Sequence, residues 1–237
     1  MALARLQSTF LAAVTHEFKS PLTAIRLLME RVTGGRLSGD GAARYYTAMA
    51  SEIDRLEGLV NRLLDTQRLH TGRKQYARES ASMADVVREA VEGMRAQAEA
   101  RRITVATRIE TDLPALHLDV ESMSDAVRNL IDNAIKYSHS GATVDVTLAS
   151  VGAGVALRVA DEGVGVDPDE AVRLFEPFYR GKRGDRANVQ GTGLGLALVK
   201  ATAEAHGGRV TVAPRPTRGS CFTMTLPTVI SSPRRAS

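Results

Sequence analysis

The feature that most constrains this chain is a helical apolar stripe running, with one interruption, through its first seventy residues. Leu6, Phe10, Val14, Phe18, Leu22, Ile25, Leu28 and Val32 recur at steps of three and four, which predicts one long helix over residues 3–33. Thr33-Gly34-Gly35-Arg36-Leu37-Ser38-Gly39-Asp40-Gly41 breaks the period and offers Ser38 or Asp40 as an N-cap. A second helix, to about Leu69, carries Tyr45, Met49, Ile53, Leu56, Val60, Leu63 and Gln67 at similar spacing. Two such helices joined by a short loop make an antiparallel hairpin. One hairpin cannot hide its own stripe, whereas two packed as a four-helix bundle can, so the pattern predicts a homodimer.

The period is lost in the polar run His70 to Ser80, which reads as a linker over 70–80. Ser82 and Asp85 form a capping-box pattern opening a helix to about Arg102. Strands are predicted at 103–109 and near 115–118, then a helix at about 120–138. Thr143–Ala149 and Val155–Ala160 read as a strand pair joined by Val151-Gly152-Ala153-Gly154. Leu194–His206 is helical, and strands at 209–213 and 219–226 follow. The alternation lacks a regular parallel βαβ rhythm, so the expected fold is a helical hairpin followed by an α/β sandwich with a mixed sheet. The domains are residues 1–69, the linker 70–80, a second domain at 81–227, and a tail at 228–237 expected to be disordered.

Charge and composition exclude several functions. Nine Lys/Arg face seven Asp/Glu in residues 1–69, and twenty-two face twenty in the rest, so the net charge of +4 is spread evenly. With no Trp and few Phe or Tyr, this argues against nucleic acid as a partner. Cys221 is the only cysteine, which leaves no disulfide framework, fits a reducing cytoplasmic compartment, and is expected to be a small core residue. No stretch approaches the ~20 apolar residues that span a bilayer. The chain opens only fifteen residues before His16, in mid-helix. The expectation is therefore the cytoplasmic part of a receptor, tied to a membrane only through an upstream sensor region.

Four constellations carry chemistry. In Thr15-His16-Glu17-Phe18-Lys19-Ser20-Pro21-Leu22-Thr23, His16 falls on the exposed flank of the stripe, where an imidazole is a nucleophile at neutral pH. Glu17 can hold the proton on one ring nitrogen, and Ser20 lies one turn further on the same face. Pro21 removes a helical N–H, so a bend is expected there. Asn129, Asn133, Lys136 and Tyr137 share one face of the helix at 120–138, while Leu130, Ile131 and Ile135 point elsewhere. Two carboxamides and an ammonium are costly to bury and suit Mg²⁺ and phosphate oxygens. Asp161-Glu162-Gly163-Val164-Gly165 follows a strand. There an acceptor-only carboxylate can bind an exocyclic amine such as adenine's, and glycines let a flat ring approach. Gly191-Thr192-Gly193-Leu194-Gly195 runs into a helix N-terminus, an anion-binding arrangement without the Lys of a phosphate loop. Between the last two, Phe175-Glu176-Pro177-Phe178-Tyr179-Arg180 reads as an aromatic anchor. The basic, Gly-rich run to Gln190 reads as a flap that orders over a polyanion.

In this order and spacing the motifs resemble the H, N, first glycine, F and second glycine boxes of sensor histidine kinases, over roughly residues 3–226. The resemblance implies a dimerisation and histidine-phosphotransfer hairpin followed by a Bergerat-type ATP-binding domain. His16 would be the phosphoacceptor and Glu17 its acid/base partner. Asn133 would ligate Mg²⁺, supported by Asn129, with Lys136 on the phosphates and Tyr137 near the nucleotide. Asp161 would accept from the adenine amine in a pocket shaped by Gly163 and Gly165. Phe178 and Arg180 of the F box, and Gly191, Thr192, Gly193, Leu194 and Gly195, would complete the ATP site. The implied partner is the receiver domain of a response regulator. Members that also dephosphorylate that partner often carry Thr or Asn where this chain has Ser20, whose hydroxyl can still orient a water. An ATPase similar to gyrase B or the mismatch-repair ATPases is the second reading, against which the His16 hairpin weighs. A nucleotide-binding scaffold is the third, against which intact His16, Asn133 and Asp161 weigh.

Overall fold

The computed structural model describes residues 2–33, 40–70, 74–182 and 192–228. Contacts divide the chain into two units, residues 1–74 with 190–194 and residues 75–189 with 195–237. In the first, α1 (Ala2–Thr33) packs on α2 (Asp40–His70). α1 continues through Pro21, so the proline does not break it, and the Thr23 hydroxyl donates to the Lys19 carbonyl at 2.8 Å beside that turn. Leu22, Leu27 and Met29 on α1, with Tyr46, Ile53, Val60 and Leu64 on α2, are between 41% and 58% exposed in the single chain. Lys74 closes the unit by an ion pair to Asp65 of α2 at 2.7 Å. The candidate cap Ser38 lies outside the described residues, as does the tail beyond Thr228. No described helix is long and apolar enough to cross a membrane.

The second unit begins earlier than the sequence suggests. Residues 79 and 80, read above as linker, form with Ala81 the strand β1 (Glu79–Ala81), which pairs antiparallel with β3 (Leu116–Leu118), Glu79 opposite Leu118. Ser82 then caps α3 (Met83–Ala100), its hydroxyl accepting the Asp85 N–H at 3.2 Å. The Asp85 carboxylate pairs with Arg88 instead of reaching back, so half of the predicted capping box is made. β2 (Thr104–Ile109), β4 (Thr143–Val151), β5 (Gly154–Ala160), β6 (Arg209–Pro214) and β7 (Ser220–Pro227) form one sheet in the order β2-β4-β5-β7-β6. Only β2 and β4 are parallel, which makes the sheet mixed, as expected. Val151 pairs with Gly154, so the β4–β5 turn is a residue tighter at each end than the predicted one.

Strand alternation decides the core. Val144, Val146 and Leu148 of β4, Val155, Leu157 and Val159 of β5, and Phe222, Met224 and Leu226 of β7 point to one face. Against them lie α3, α4 (Val120–Tyr137) and α5 (Gly195–Ala205), through residues such as Val87, Ile131 and Val199. The same alternation corrects Cys221. It sits one position out of phase with Phe222, on the opposite face with Thr223 and Thr225, and is only partly buried.

Candidate nucleotide-binding site

α4 supplies the first wall. Asp119 caps it, Oδ1 accepting the Ser122 N–H at 2.9 Å, and Met123, Val127, Leu130, Ile131 and Ile135 bury its inner face. Asn129, Asn133, Lys136 and Tyr137 stay partly exposed on the other side, as the spacing predicts. The Asn129 amide donates back to the Asp125 carbonyl at 2.9 Å, which leaves its oxygen against the first residue of α5. A Cβ on Gly195 would lie 2.9 Å from that oxygen, so any larger residue there would push the Asn129 carboxamide aside. Lys136 is held by a neighbouring carboxylate. Its ammonium rests on Asp132, one turn back, at 2.5 Å, while the other Asp132 oxygen accepts from Gln97 of α3 at 2.6 Å. An i,i+4 pair of this kind contributes about 0.2–0.5 kcal/mol, little enough for a phosphate to displace.

Asp161, directly after β5, supplies the second wall and is 2% exposed. Its Oδ1 accepts the Gly163 N–H at 2.8 Å and the Ser220 N–H at 3.3 Å, and its Oδ2 accepts the Ser220 hydroxyl at 2.6 Å. Burial pushes the carboxyl pKa up, and these hydrogen bonds with nearby Arg215 only partly oppose it. The β6–β7 turn clamps the loop. Arg215 donates to the Asp161 carbonyl at 3.1 Å, Arg218 donates to the Gly163 carbonyl at 3.3 Å, and Gly219 (φ +94) lies so close that a Cβ would strike that Asp161 carbonyl. Ser220, Arg215 and Gly219 were not visible as site residues in the sequence, where nearly sixty positions separate them from Asp161.

Gly163 acts differently from the expected opening for a flat ring, while Gly165 makes the expected tight turn. A Cβ on Gly163 would sit 2.3 Å from the Tyr137 carbonyl, so the space is taken by the last turn of α4 and not left for a ring. The Val164 N–H donates to the same carbonyl at 3.3 Å. Gly165 has φ +72 and makes the turn. Gly163→Ala should therefore lower stability by about 1–3 kcal/mol through overpacking, read as a shifted denaturation midpoint with unchanged slope.

Beyond the loop, Asp167 caps a short turn at Pro168–Glu170 and a second follows at Arg173–Phe175. Glu170 is buried, accepting the Tyr179 hydroxyl at 2.7 Å and the Lys182 N–H at 3.2 Å. Phe175 packs edge-on to Phe222 of the sheet, centroids 6.4 Å apart, and Arg173 covers the Tyr179 ring at 4.3 Å. Phe175 thus makes the expected anchor. Phe178 differs, taking a left-handed backbone (φ 67) and staying only partly buried, a strained geometry for an aromatic residue. Arg180 is half-buried after it. The basic flap from 183 to Gln190, and Gly191, lie outside the described residues. Of the second glycine run, Gly193 has φ +71 and the Leu194 N–H meets the Thr192 hydroxyl at 3.4 Å. His16 and Glu17 lie mid-way along α1, their side chains outside the described set, and Ser20 is exposed one turn on.

The structure thus places Asn129, Asn133, Lys136, Tyr137, Asp161, Gly163, Gly165 and Gly195 in one unit. Residues 118–230 match the family described as histidine kinase-, DNA gyrase B- and HSP90-like ATPases, so this unit is an ATP-binding domain of that class. Residues 6–72 match the His kinase A phospho-acceptor domain. The chain belongs to the sensor histidine kinases. It is 32% identical over 223 residues to the sensor-like histidine kinase SenX3 of Mycobacterium tuberculosis, covering 94% of this chain and 54% of SenX3. To the alginate biosynthesis sensor protein KinB of Pseudomonas aeruginosa it is 32% identical, covering 95% of this chain and 38% of KinB. The chain thus spans about half the length of the curated relatives it matches. Among solved structures, ShkA in complex with AMPPNP aligns with TM-score 0.67 and 28% identity, over 94% of this chain and 46% of ShkA. Acinetobacter baumannii AdeS aligns with TM-score 0.64 and 22% identity, over 90% of this chain and 98% of AdeS.

Proposed function

We propose that this chain is an ATP-dependent kinase that phosphorylates itself at His16 and hands the phosphoryl group to a receiver-domain aspartate of a response regulator. The observation that carries the reading is the buried, acceptor-only Asp161 carboxylate, at the start of a loop whose Gly163 and Val164 meet the last turn of α4. A carboxylate in that setting recognises an exocyclic amine, and the carboxamides of Asn129 and Asn133 suit the phosphates. ShkA, with its bound ATP analogue, supports the same ligand class. Among the described residues no three His, Cys, Asp or Glu side chains gather to cage a metal. Mg²⁺ would accordingly be held by Asn133 with phosphate oxygens and water, the arrangement this ion prefers, and would neutralise charge on the phosphates.

In the chemical step an imidazole nitrogen of His16 attacks the γ-phosphorus, the bond to the bridging oxygen breaks, and ADP leaves with that electron pair. Glu17 takes the ring proton. In transfer, the regulator's carboxylate attacks the phosphorus, the N–P bond breaks, and the imidazole recovers its proton. The apolar residues left exposed on α1 and α2 support a homodimer, in which a second hairpin covers them. Exposed Ser20, one turn past His16, is where a water could be oriented to hydrolyse the regulator's acyl phosphate.

Incubating the chain with γ-labelled ATP and Mg²⁺ tests the reading. The expected product is acid-labile, base-stable label on the protein; acid-stable label, or none, overturns it. Asn133→Ala should cut Mg²⁺-dependent nucleotide binding by roughly tenfold or more, measured with a fluorescent analogue, since one oxygen of the metal shell is lost.

A further inference from the structure

The segment read as linker is seated on buried polar groups that the nucleotide site does not use. His206, just past α5, is 2% exposed. Its Nε2 accepts the Asp119 N–H at 2.9 Å, while Nδ1 faces the Thr202 carbonyl at 2.7 Å and so carries the proton. Burial, with Arg78 nearby, pushes its pKa below the usual imidazole value against the pull of the Thr202 carbonyl and Asp119, in keeping with that neutral form. Asp119 is shared three ways: its N–H goes to His206, one carboxylate oxygen caps α4, and the other accepts the Ala77 N–H at 2.7 Å. Burial works to raise the Asp119 pKa, but the hydrogen bonds from Ser122 and Ala77 outweigh it and hold the carboxyl low. The Tyr76 ring stands edge-on to the His206 ring at 5.4 Å, and Arg78 donates to the Ala205 carbonyl at the end of α5. Residues 79–81 continue as β1 against β3, whose Leu118 immediately precedes Asp119.

These contacts fall at one end of a two-helix frame whose other end is the nucleotide site. Asp119 at the start of α4 meets His206 past the end of α5. Ten residues along α4, Asn129 meets Gly195 at the start of α5. Ten helical residues span about 15 Å on either helix, so α4 and α5 run antiparallel and are pinned twice. A packed helix pair has discrete registers, and releasing one pin shifts the other.

We propose that His206 is a positioning residue which, through Asp119, sets the register of α4 against α5 and hence the Asn129–Gly195 contact, and that the strap Tyr76–Ala81 on the same pair is coupled to nucleotide occupancy. This rests on the nucleotide-binding reading above. The strap is then part of the catalytic unit, and displacement of residues 76–81 is felt where the phosphates bind.

The test uses the whole chain, a fluorescent ATP analogue with Mg²⁺, and hydrogen exchange of residues 76–81. His206→Leu should weaken analogue affinity at least fivefold and speed strap exchange. His206→Gln, which keeps an acceptor and a donor, should recover most of both. Val146→Ala in the β4 core, matched for loss of melting temperature, should leave affinity unchanged. Tyr76→Ala removes the strap's ring contact on His206 but leaves the His206–Asp119 hydrogen bond, and keeps the question answerable if His206→Leu does not fold; it should speed exchange and weaken affinity about twofold to threefold. In the wild type, bound analogue should slow strap exchange. If His206→Leu binds as wild type, or Val146→Ala loses as much affinity, His206 has no positioning role. If Tyr76→Ala loosens the strap without changing affinity, the coupling is refuted. Asp161→Asn separates the two levels. Weakened binding there with normal binding by His206→Leu sinks this proposal alone, whereas unaltered binding there sinks the nucleotide reading beneath it.

Discussion

Replacing His16 by glutamine is expected to abolish phosphorylation of the chain while nucleotide binding survives. The reason is the partition of the fold. His16 belongs to the hairpin unit, whereas Asn133 and Asp161 belong to the unit that begins at Gln75, so the nucleophile and these two nucleotide-site residues are built by separate cores. Glutamine keeps size and polarity but has no ring nitrogen with a lone pair able to attack phosphorus. Label from γ-labelled ATP should fall to background, and analogue affinity should stay within about twofold of wild type. Of the remaining histidines, His117 and His139 are exposed and lie on the nucleotide unit. Residual acid-labile label on either of them, or acid-stable label on a hydroxyl, would remove His16 from its assigned role. Mixing His16→Gln with Asn133→Ala adds a second reading of the same experiment: label regained in the mixture means that one protomer phosphorylates its partner.

What the sequence discloses and what it hides divide along physical lines. Periodicity exposes whatever a single element decides alone. The helices α1 and α2 lie where the stripes place them, and the split of α4 into a buried Leu130–Ile131–Ile135 side and an Asn129–Asn133–Lys136 side follows from 3.6 residues per turn and is found as read. The period of two in β7 equally fixes Cys221 on the face away from Phe222 and Met224. Contacts between strands distant in sequence are another matter. That Ser220 holds Asp161 depends on β5 lying beside β7, a pairing that neither segment announces. The role of Gly163 depends on α4 ending against its Cα. Residues 76–80 of the strap look like linker because they have no apolar period, yet polar anchors hold them, through Asp119 and His206. Buried hydrogen bonds leave almost no pattern along a chain, and that is where the reading from sequence stopped.

Asp161→Asn should sever nucleotide affinity from stability. In the folded chain burial raises the Asp161 pKa above its usual value of 3.8, so between that value and the folded pKa the native state binds more protons than the unfolded one. Stability contributed at this position is therefore lost as pH rises through that window, and at neutral pH the ionised carboxylate costs the fold free energy. An asparagine removes that cost. Its amide oxygen can keep the Gly163 and Ser220 N–H bonds, and the Ser220 hydroxyl can turn from donor to acceptor for the new NH₂. The variant should thus melt at or above the wild-type temperature at pH 7, and lose its advantage as the pH is lowered into the acid range. Nucleotide binding should move the other way. The lone pairs offered to an exocyclic amine are replaced by a second donor, and a lost hydrogen bond to a charged group with a donor left facing a donor costs about 1.5–3 kcal/mol, or roughly 10- to 100-fold in affinity. Calorimetric melting across pH 4–8 and titration of the fluorescent analogue measure the two effects on one preparation. Stability falling together with affinity would mean that Asp161 is a structural cap for its loop. Stability held while affinity is lost means that a buried carboxylate is kept, against the fold's interest, for the ligand it accepts from.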